Sequence, residues 1–188
     1  LLSRRQRQMC IRDSDKGGPM NTVFIADDEL IIRQGIKCII DWEQLGFEII
    51  GEASNGVDAL NFILNKQPDL VLMDIRMPKM LGLDVVEAAR NKGFNGKVII
   101  LSGYTDFKYA QAAIKNGVDY YLTKPIDEDE LYETVDSIRS QISKEAEDKE
   151  TLSTYRDKAK SMILFDILTG TSTINNICLL YTSPSPRD

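Results

Sequence analysis

The chain has 188 residues, 43% of them apolar and 28% charged, a globular composition with room for one domain of ordinary size and an appendage. A net charge of −6 argues against general affinity for nucleic acid phosphates, and no apolar run is long enough to cross a bilayer or to act as a secretory signal, so a cytoplasmic setting without a membrane partner is expected. Histidine is absent, which removes imidazole catalysis, and the three widely separated cysteines show no metal-ligand spacing.

The two ends look foreign to the rest. Met9-Cys10-Ile11-Arg12-Asp13-Ser14 and Cys178-Leu179-Leu180-Tyr181-Thr182-Ser183 can be encoded by DNA strings that are reverse complements apart from their outermost bases. One element read in opposite directions resembles a translated sequencing adapter. Residues 1–19 and 178–188 are therefore expected to be non-native, with the natural start at Met20 and the native frame cut near Ile177. What remains is more acidic and keeps only Cys38.

From Met20 short apolar runs alternate with segments of helical period, the pattern of successive βα units on a parallel sheet. A strand is predicted from Thr22 to Ala26, then a helix from about Glu29 with Ile32, Ile36, Ile39 and Ile40 on one face and a turn through Asp41-Trp42 and Leu45-Gly46. Glu48 to Ala53 reads as the second strand. Its helix runs from Asn55 to Asn65 with Val57, Leu60 and Leu64 spaced for burial, and Pro68 ends the segment.

Leu70 to Met73 is apolar throughout, as a strand buried on both faces should be, and Leu83 to Asn91 is the helix after it. Val98 to Leu101 is the fourth strand, Phe107 to Asn116 a helix closed by Gly117, and Tyr120 to Leu122 the fifth strand. Asp127 and Glu130 read as a capping box opening a helix with Leu131, Val135, Ile138 and Ile142 on one side. One domain is expected over residues 20–142. A charged connector over Ser143 to Thr151 and a second helical stripe over Leu152 to Leu168 make up a linker region, residues 143–177.

The fold class that follows is α/β, a doubly wound five-stranded parallel sheet of flavodoxin-like order 2-1-3-4-5 with a C-terminal helical extension. Such sheets bind ligands at the carboxyl ends of their strands. Asp27 and Asp28 follow the first strand, Asp74 the third, Ser102 the fourth and Lys124 the fifth, so every candidate polar group falls on one edge. Three carboxylates gathered there repel one another unless a cation neutralises them, and Mg2+, which takes oxygen ligands and keeps several waters, suits an exposed acidic cluster better than Zn2+ does. With a metal and a lysine present, one carboxylate can act as nucleophile towards a phosphoryl group. Asp74, at the end of the central apolar strand, is the best placed.

The runs Ile25-Ala26-Asp27-Asp28-Glu29, Leu72-Met73-Asp74-Ile75-Arg76-Met77-Pro78, Leu101-Ser102-Gly103 and Leu122-Thr123-Lys124-Pro125, in that order, resemble the receiver domain of two-component response regulators over about Met20 to Ile142. The resemblance implies a phosphoacceptor switch, not an enzyme, phosphorylated on Asp74 by a sensor histidine kinase in a Mg2+-dependent reaction. It implies Asp28 as a direct Mg2+ ligand, Asp27 acting mainly through water, and the Arg76 backbone carbonyl as a further ligand beside Asp74. Ser102 and Lys124 would contact the phosphoryl group, and Ser102 and Tyr121 would move together as the switch. In place of the aspartate that this family often carries before the loop glycine, the chain has Leu81-Gly82.

Singly, Asp28 reads as a helix cap, Asp74 and Lys124-Pro125 as turn residues, Ser102 as a loop cap and Tyr121 as a core aromatic. Their joint placement at successive strand ends favours the functional reading. Glu29 and Met77 receive no role. The segments Ile39-Ile40-Asp41-Trp42, Ser102-Gly103-Tyr104-Thr105-Asp106-Phe107 and Leu164-Phe165-Asp166-Ile167-Leu168-Thr169-Gly170 are similar to regulators ending in an AraC-type helix-turn-helix domain. That similarity implies transcription control through a missing C-terminal DNA-binding domain and homodimerisation on phosphorylation. A stand-alone phosphorelay receiver is the alternative, and a flavin-binding or hydrolytic enzyme on the same fold is a third.

Overall fold

The computed structural model describes residues 20–103 and 117–169. The helix expected from Phe107 to Asn116 and both adapter-like ends lie outside the described residues. The elements are β1 (Asn21–Ala26), α1 (Leu30–Ile39), β2 (Phe47–Ala53), α2 (Gly56–Lys66), β3 (Leu70–Asp74), α3 (Gly82–Asn91), β4 (Lys97–Ser102), β5 (Tyr120–Thr123) and α4 (Glu128–Thr169). All strand pairs are parallel, as the alternation of strand and helix patterns predicts, and the sheet order is β2-β1-β3-β4-β5, that of the expected fold class.

The central strands are buried because they carry apolar side chains on both faces. Successive residues of a strand point to opposite sides. Phe24 and Ala26 of β1, Val71 and Met73 of β3, and Val98 and Ile100 of β4 share one core cluster with Ala59 and Ile63 of α2 and Val85, Val86 and Ala89 of α3. The intervening Val23, Ile25, Leu70, Leu72, Ile99 and Leu101 are fully or almost fully buried on the other face. The buried apolar residues of α1 and α4 are Ile36, Leu131, Val135 and Ile138, none of which belongs to that cluster. Each such side chain contributes roughly 1.5–3 kcal/mol of hydrophobic stabilisation.

The buried stripe of α2 differs from the one its larger residues suggest. Val57 is 41% exposed and Leu60 and Leu64 are half-buried, whereas Gly56, Ala59 and Ile63 face inward. Small residues decide the matter. A Cβ at position 56 would collide with the Met80 carbonyl, and the Gly56 amide donates to the Pro78 carbonyl (3.1 Å), so α2 approaches the β3–α3 loop along its small face. Asn55 caps this helix by accepting from the Asp58 amide (3.1 Å), and Phe62 stacks on Phe24 at 4.3 Å between ring centroids.

The turn after α1 is fixed by Trp42, whose indole N–H donates to the Ile36 carbonyl (3.0 Å) and whose ring meets Phe47 edge-on. At the other end of the fold, Asp127 accepts from the Glu130 amide (3.0 Å), the N-cap arm of the expected capping box. No break occurs at the expected charged connector: α4 continues as one helix of 42 residues to Thr169. Its sequence contains neither glycine nor proline, and Glu, Lys and Ala are strong helix formers. The chain divides into two compact units after Ser140. Within the second unit residues 143–162 are exposed, including Leu152, Tyr155 and Met162 from the apolar stripe. Among the described residues, no helix is long and apolar enough to cross a membrane.

Candidate functional site

β1 ends at Ala26, β3 at Asp74, β4 at Ser102 and β5 at Thr123, which brings Asp27, Asp74, Ser102 and Lys124 to the carboxyl edge of neighbouring strands. Parallel register sets their heights. Asp74 pairs with Leu101 and Ser102 with Thr123, and the Lys124 amide donates to the Ser102 carbonyl (2.7 Å). The Lys124–Pro125 peptide is cis.

Lys124 joins the two buried acids. Its Nζ donates to Asp27 Oδ2 (2.6 Å) and to Asp74 Oδ1 (2.5 Å). The second oxygens are also engaged, since Asp27 Oδ1 accepts from the Glu29 amide (2.9 Å) and Asp74 Oδ2 from the Arg76 amide (2.7 Å). Asp27 is fully buried, Asp74 is 5% exposed and Ser102 2%.

Burial, the largest influence, raises the Asp74 carboxyl above its ordinary value, the negative charge of Asp27 pushes the same way, and Lys124 pulls it down without cancelling the rise. Burial alone would lower the Lys124 ammonium, but its contacts with Asp27 and Asp74 outweigh that and raise it. The one contact is thus felt differently by its partners: Lys124 stays protonated, while desolvation leaves Asp74 a more basic carboxylate than a free aspartate.

Asp28 and Glu29 are exposed beside buried Asp27, and the carboxylate oxygens of these three lie within 4.8 Å of one another. Among the described residues this is the one such group of potential metal ligands. Asp74 stands outside it and is linked to it through Lys124. The donor set is carboxylate oxygen only, with no histidine in the chain and an exposed Cys38 on α1, so it fits a hard dication such as Mg2+.

Of the residues singled out in the sequence, Asp27, Asp74 and Lys124 are in direct contact. Asp28 lies in the acidic group and does not cap α1, whose N-cap is Glu29 without a side-chain cap bond. Arg76 follows Asp74 with its amide on the carboxylate. Ser102 lies at the end of β4, and Tyr121, which pairs with Ile100 on β5, is half-buried against the core cluster.

Two features carry no motif. Glu29 stands in the acidic group although its sequence position suggested no role. Arg33 is 8% exposed, and its guanidinium donates to the Asp27 carbonyl (2.8 Å). A signal for it exists, since Arg33 occupies a place on the Ile36 and Ile40 face where an apolar residue belongs.

The doubly wound sheet of order 2-1-3-4-5 defines a flavodoxin-like fold, and the candidate acid–lysine site lies at its carboxyl edge beside β1 and β3. A family model described as the response regulator receiver domain matches residues 23–136, and the chain belongs to that family. It is 38% identical over 126 residues to the uncharacterized transcriptional regulatory protein YesN of Bacillus subtilis, a match covering 67% of this chain and 34% of that protein. Identity to the transcriptional regulatory protein HptR of Staphylococcus aureus is 46% over 112 residues, covering 60% of this chain and 44% of HptR. The chain therefore spans less than half the length of these curated relatives. Among solved structures, the REC domain of AraT, a response regulator from Geobacillus stearothermophilus, superposes with a TM-score of 0.64 at 41% identity, covering 68% of this chain and 98% of that domain.

Proposed function

We propose that this receiver accepts a phosphoryl group on Asp74 from the phosphohistidine of a sensor histidine kinase, in a Mg2+-dependent reaction in the cytoplasm. The observation that carries the reading is the Lys124 ammonium shared between Asp27 and Asp74. A cation already lies where negative charge will accumulate, and the acceptor carboxylate is held at both oxygens before any donor arrives.

In the transfer, an oxygen of Asp74 forms a bond to phosphorus while the phosphorus–nitrogen bond of the donor breaks, its electron pair remaining on the imidazole nitrogen. The raised proton affinity of Asp74 makes its carboxylate a better nucleophile than an exposed aspartate. Lys124 exchanges its contact with Asp74 for one with a phosphoryl oxygen and retains Asp27. Asp28, Asp74 and the Arg76 carbonyl would hold Mg2+, with Asp27 and Glu29 supporting the site. Bound there, the ion neutralises charge on the phosphoryl oxygens.

Ser102, at the end of β4, would hydrogen-bond the phosphoryl group, and Tyr121 on β5 would repack with it, biasing a pre-existing equilibrium between two conformations. The output we infer is homodimerisation and control of transcription through a DNA-binding domain in the part of the longer protein that this chain does not span. The names of YesN and HptR support that output. Incubation with Mg2+ and acetyl phosphate, read by intact mass, tests the acceptor: one phosphoryl group should add to the wild type and none to Asp74→Asn. Uptake by Asp74→Asn rejects it.

A further inference from the structure

Arg33 is the one buried charged side chain of α1, and the chemistry proposed above gives it no part. Its Nη1 donates to the carbonyl of Asp27 (2.8 Å) and reaches that of Asp28 (3.4 Å). On the other side its buried Nε forms an ion pair with Glu52 Oε2 on β2 at 3.4 Å, without a hydrogen bond, and the same carboxylate oxygen is held by Lys37 Nζ at 2.7 Å. Lys37, Glu52 and Arg33 thus form a line of alternating charge ending on the two carbonyls of the acidic turn.

That turn is held at its ends by the Asp27 amide on the Ala53 carbonyl (3.1 Å) and the Glu29 amide on Asp27 Oδ1 (2.9 Å), and Arg33 adds the contacts to its two carbonyls. Glu29 gives α1 no side-chain cap, and Asp28 and Glu29 are exposed. A guanidinium is planar and rigid, so an Arg anchored by a carboxylate fixes the carbonyls it meets. Second contacts of this kind orient ligands and commonly alter metal affinity by about 10–100-fold.

We propose that Arg33, anchored by Glu52, is a positioning residue that sets the Asp27–Asp28 turn for a divalent cation. The inference rests on the metal reading given above and deepens it. Simple charge makes the opposite demand: removing a cation near an acidic cluster should strengthen dication binding, and replacing one cation by another should leave it unchanged. Arg33→Met and Arg33→Lys therefore separate positioning from charge. Lysine keeps the charge, but a single ammonium cannot sit on the two carbonyls where Nη1 does and also lie beside Glu52 where Nε does.

The test is Mn2+ titration of the full chain without a phosphoryl donor, with free Mn2+ followed by electron paramagnetic resonance and folding checked by circular dichroism. Both Arg33→Met and Arg33→Lys should bind about tenfold more weakly than the wild type. The Mg2+ concentration for half-maximal acetyl phosphate uptake should rise to match, while the rate at saturating Mg2+ stays within about twofold. Affinity within twofold of wild type for Arg33→Lys, or tighter binding by Arg33→Met, overturns the proposal. Failure of the folded wild type to take up Mn2+ is a different result and sinks the metal reading itself. Should the Arg33 variants not fold, Glu52→Gln releases the anchor from a more exposed position. Faster hydrogen exchange of the Glu29 amide is then expected, and unchanged exchange counts against the proposal.

Discussion

Lys124 and Asp74, fifty positions apart in sequence, meet at 2.5 Å across the carboxyl edge of the sheet. Because Asp27 shares the ammonium and is fully buried, the lysine compensates two desolvated charges at once. Removing one partner of a buried pair leaves the other uncompensated. Lys124→Ala should therefore cost about 3 kcal/mol in urea unfolding at neutral pH. The double variant Lys124→Ala/Asp74→Asn should recover part of that loss.

The raised Asp74 carboxyl has a signed consequence for stability. A folded-state pKa above the unfolded value means that the native protein takes up the proton more readily. Ionisation at this site therefore opposes folding above the folded value, and the effect fades as pH falls from the folded value to the ordinary value of 3.8, below which it is gone. Asp74→Asn should raise the thermal midpoint at neutral pH, and the gain should vanish under acid conditions. An equal gain at both pH values contradicts this origin.

The Asp74 carboxyl itself should show the rise in the metal-free protein. Its titration midpoint should lie above 3.8, because burial, and after it the charge of Asp27, keep the proton on Asp74. Replacing Lys124 with methionine removes the opposing influence and should move the midpoint to higher pH. Carboxyl carbon-13 NMR titration without divalent metal checks both statements.

Leu81 is the N-cap of α3 and supplies no cap hydrogen bond. Leu81→Asp provides an acceptor for the first-turn amides and an acid near the positive end of the helix, for a gain of about 1 kcal/mol in thermal or urea unfolding. The absence of an aspartate before the loop glycine is thus a missing cap on α3.

Gly82 follows immediately and has no freedom to vary. A Cβ there would strike the Asp74 carbonyl oxygen, and the Gly82 amide donates to the Ile75 carbonyl (2.9 Å). Gly82→Ala should cost about 2 kcal/mol and slow phosphoryl uptake, because the collision falls on the backbone of Asp74, the proposed acceptor.

The site was legible where strand ends carried it. Asp27, Asp74, Ser102 and Lys124 each follow an apolar strand, and parallel topology alone brings such positions to one edge. Local pattern failed where packing used small residues or long-range charge. Val57, Leu60 and Leu64 form as good a helical stripe as Gly56, Ala59 and Ile63, and only the close approach of the β3–α3 loop selects the second. Arg33 meets Glu52 from another element, a pairing with no local signature. In α4 the charged stretch after Ile142 looked like a connector because burial ends there, yet helix propensity persists after the core contacts stop.

The most direct test of the central claim is peptide mapping of the wild-type chain after incubation with acetyl phosphate and Mg2+, using borohydride reduction to mark the acyl phosphate. The mark should fall on Asp74 alone and require Mg2+. A mark on Asp27 or Asp28, or undiminished labelling after the metal is chelated, would contradict the account.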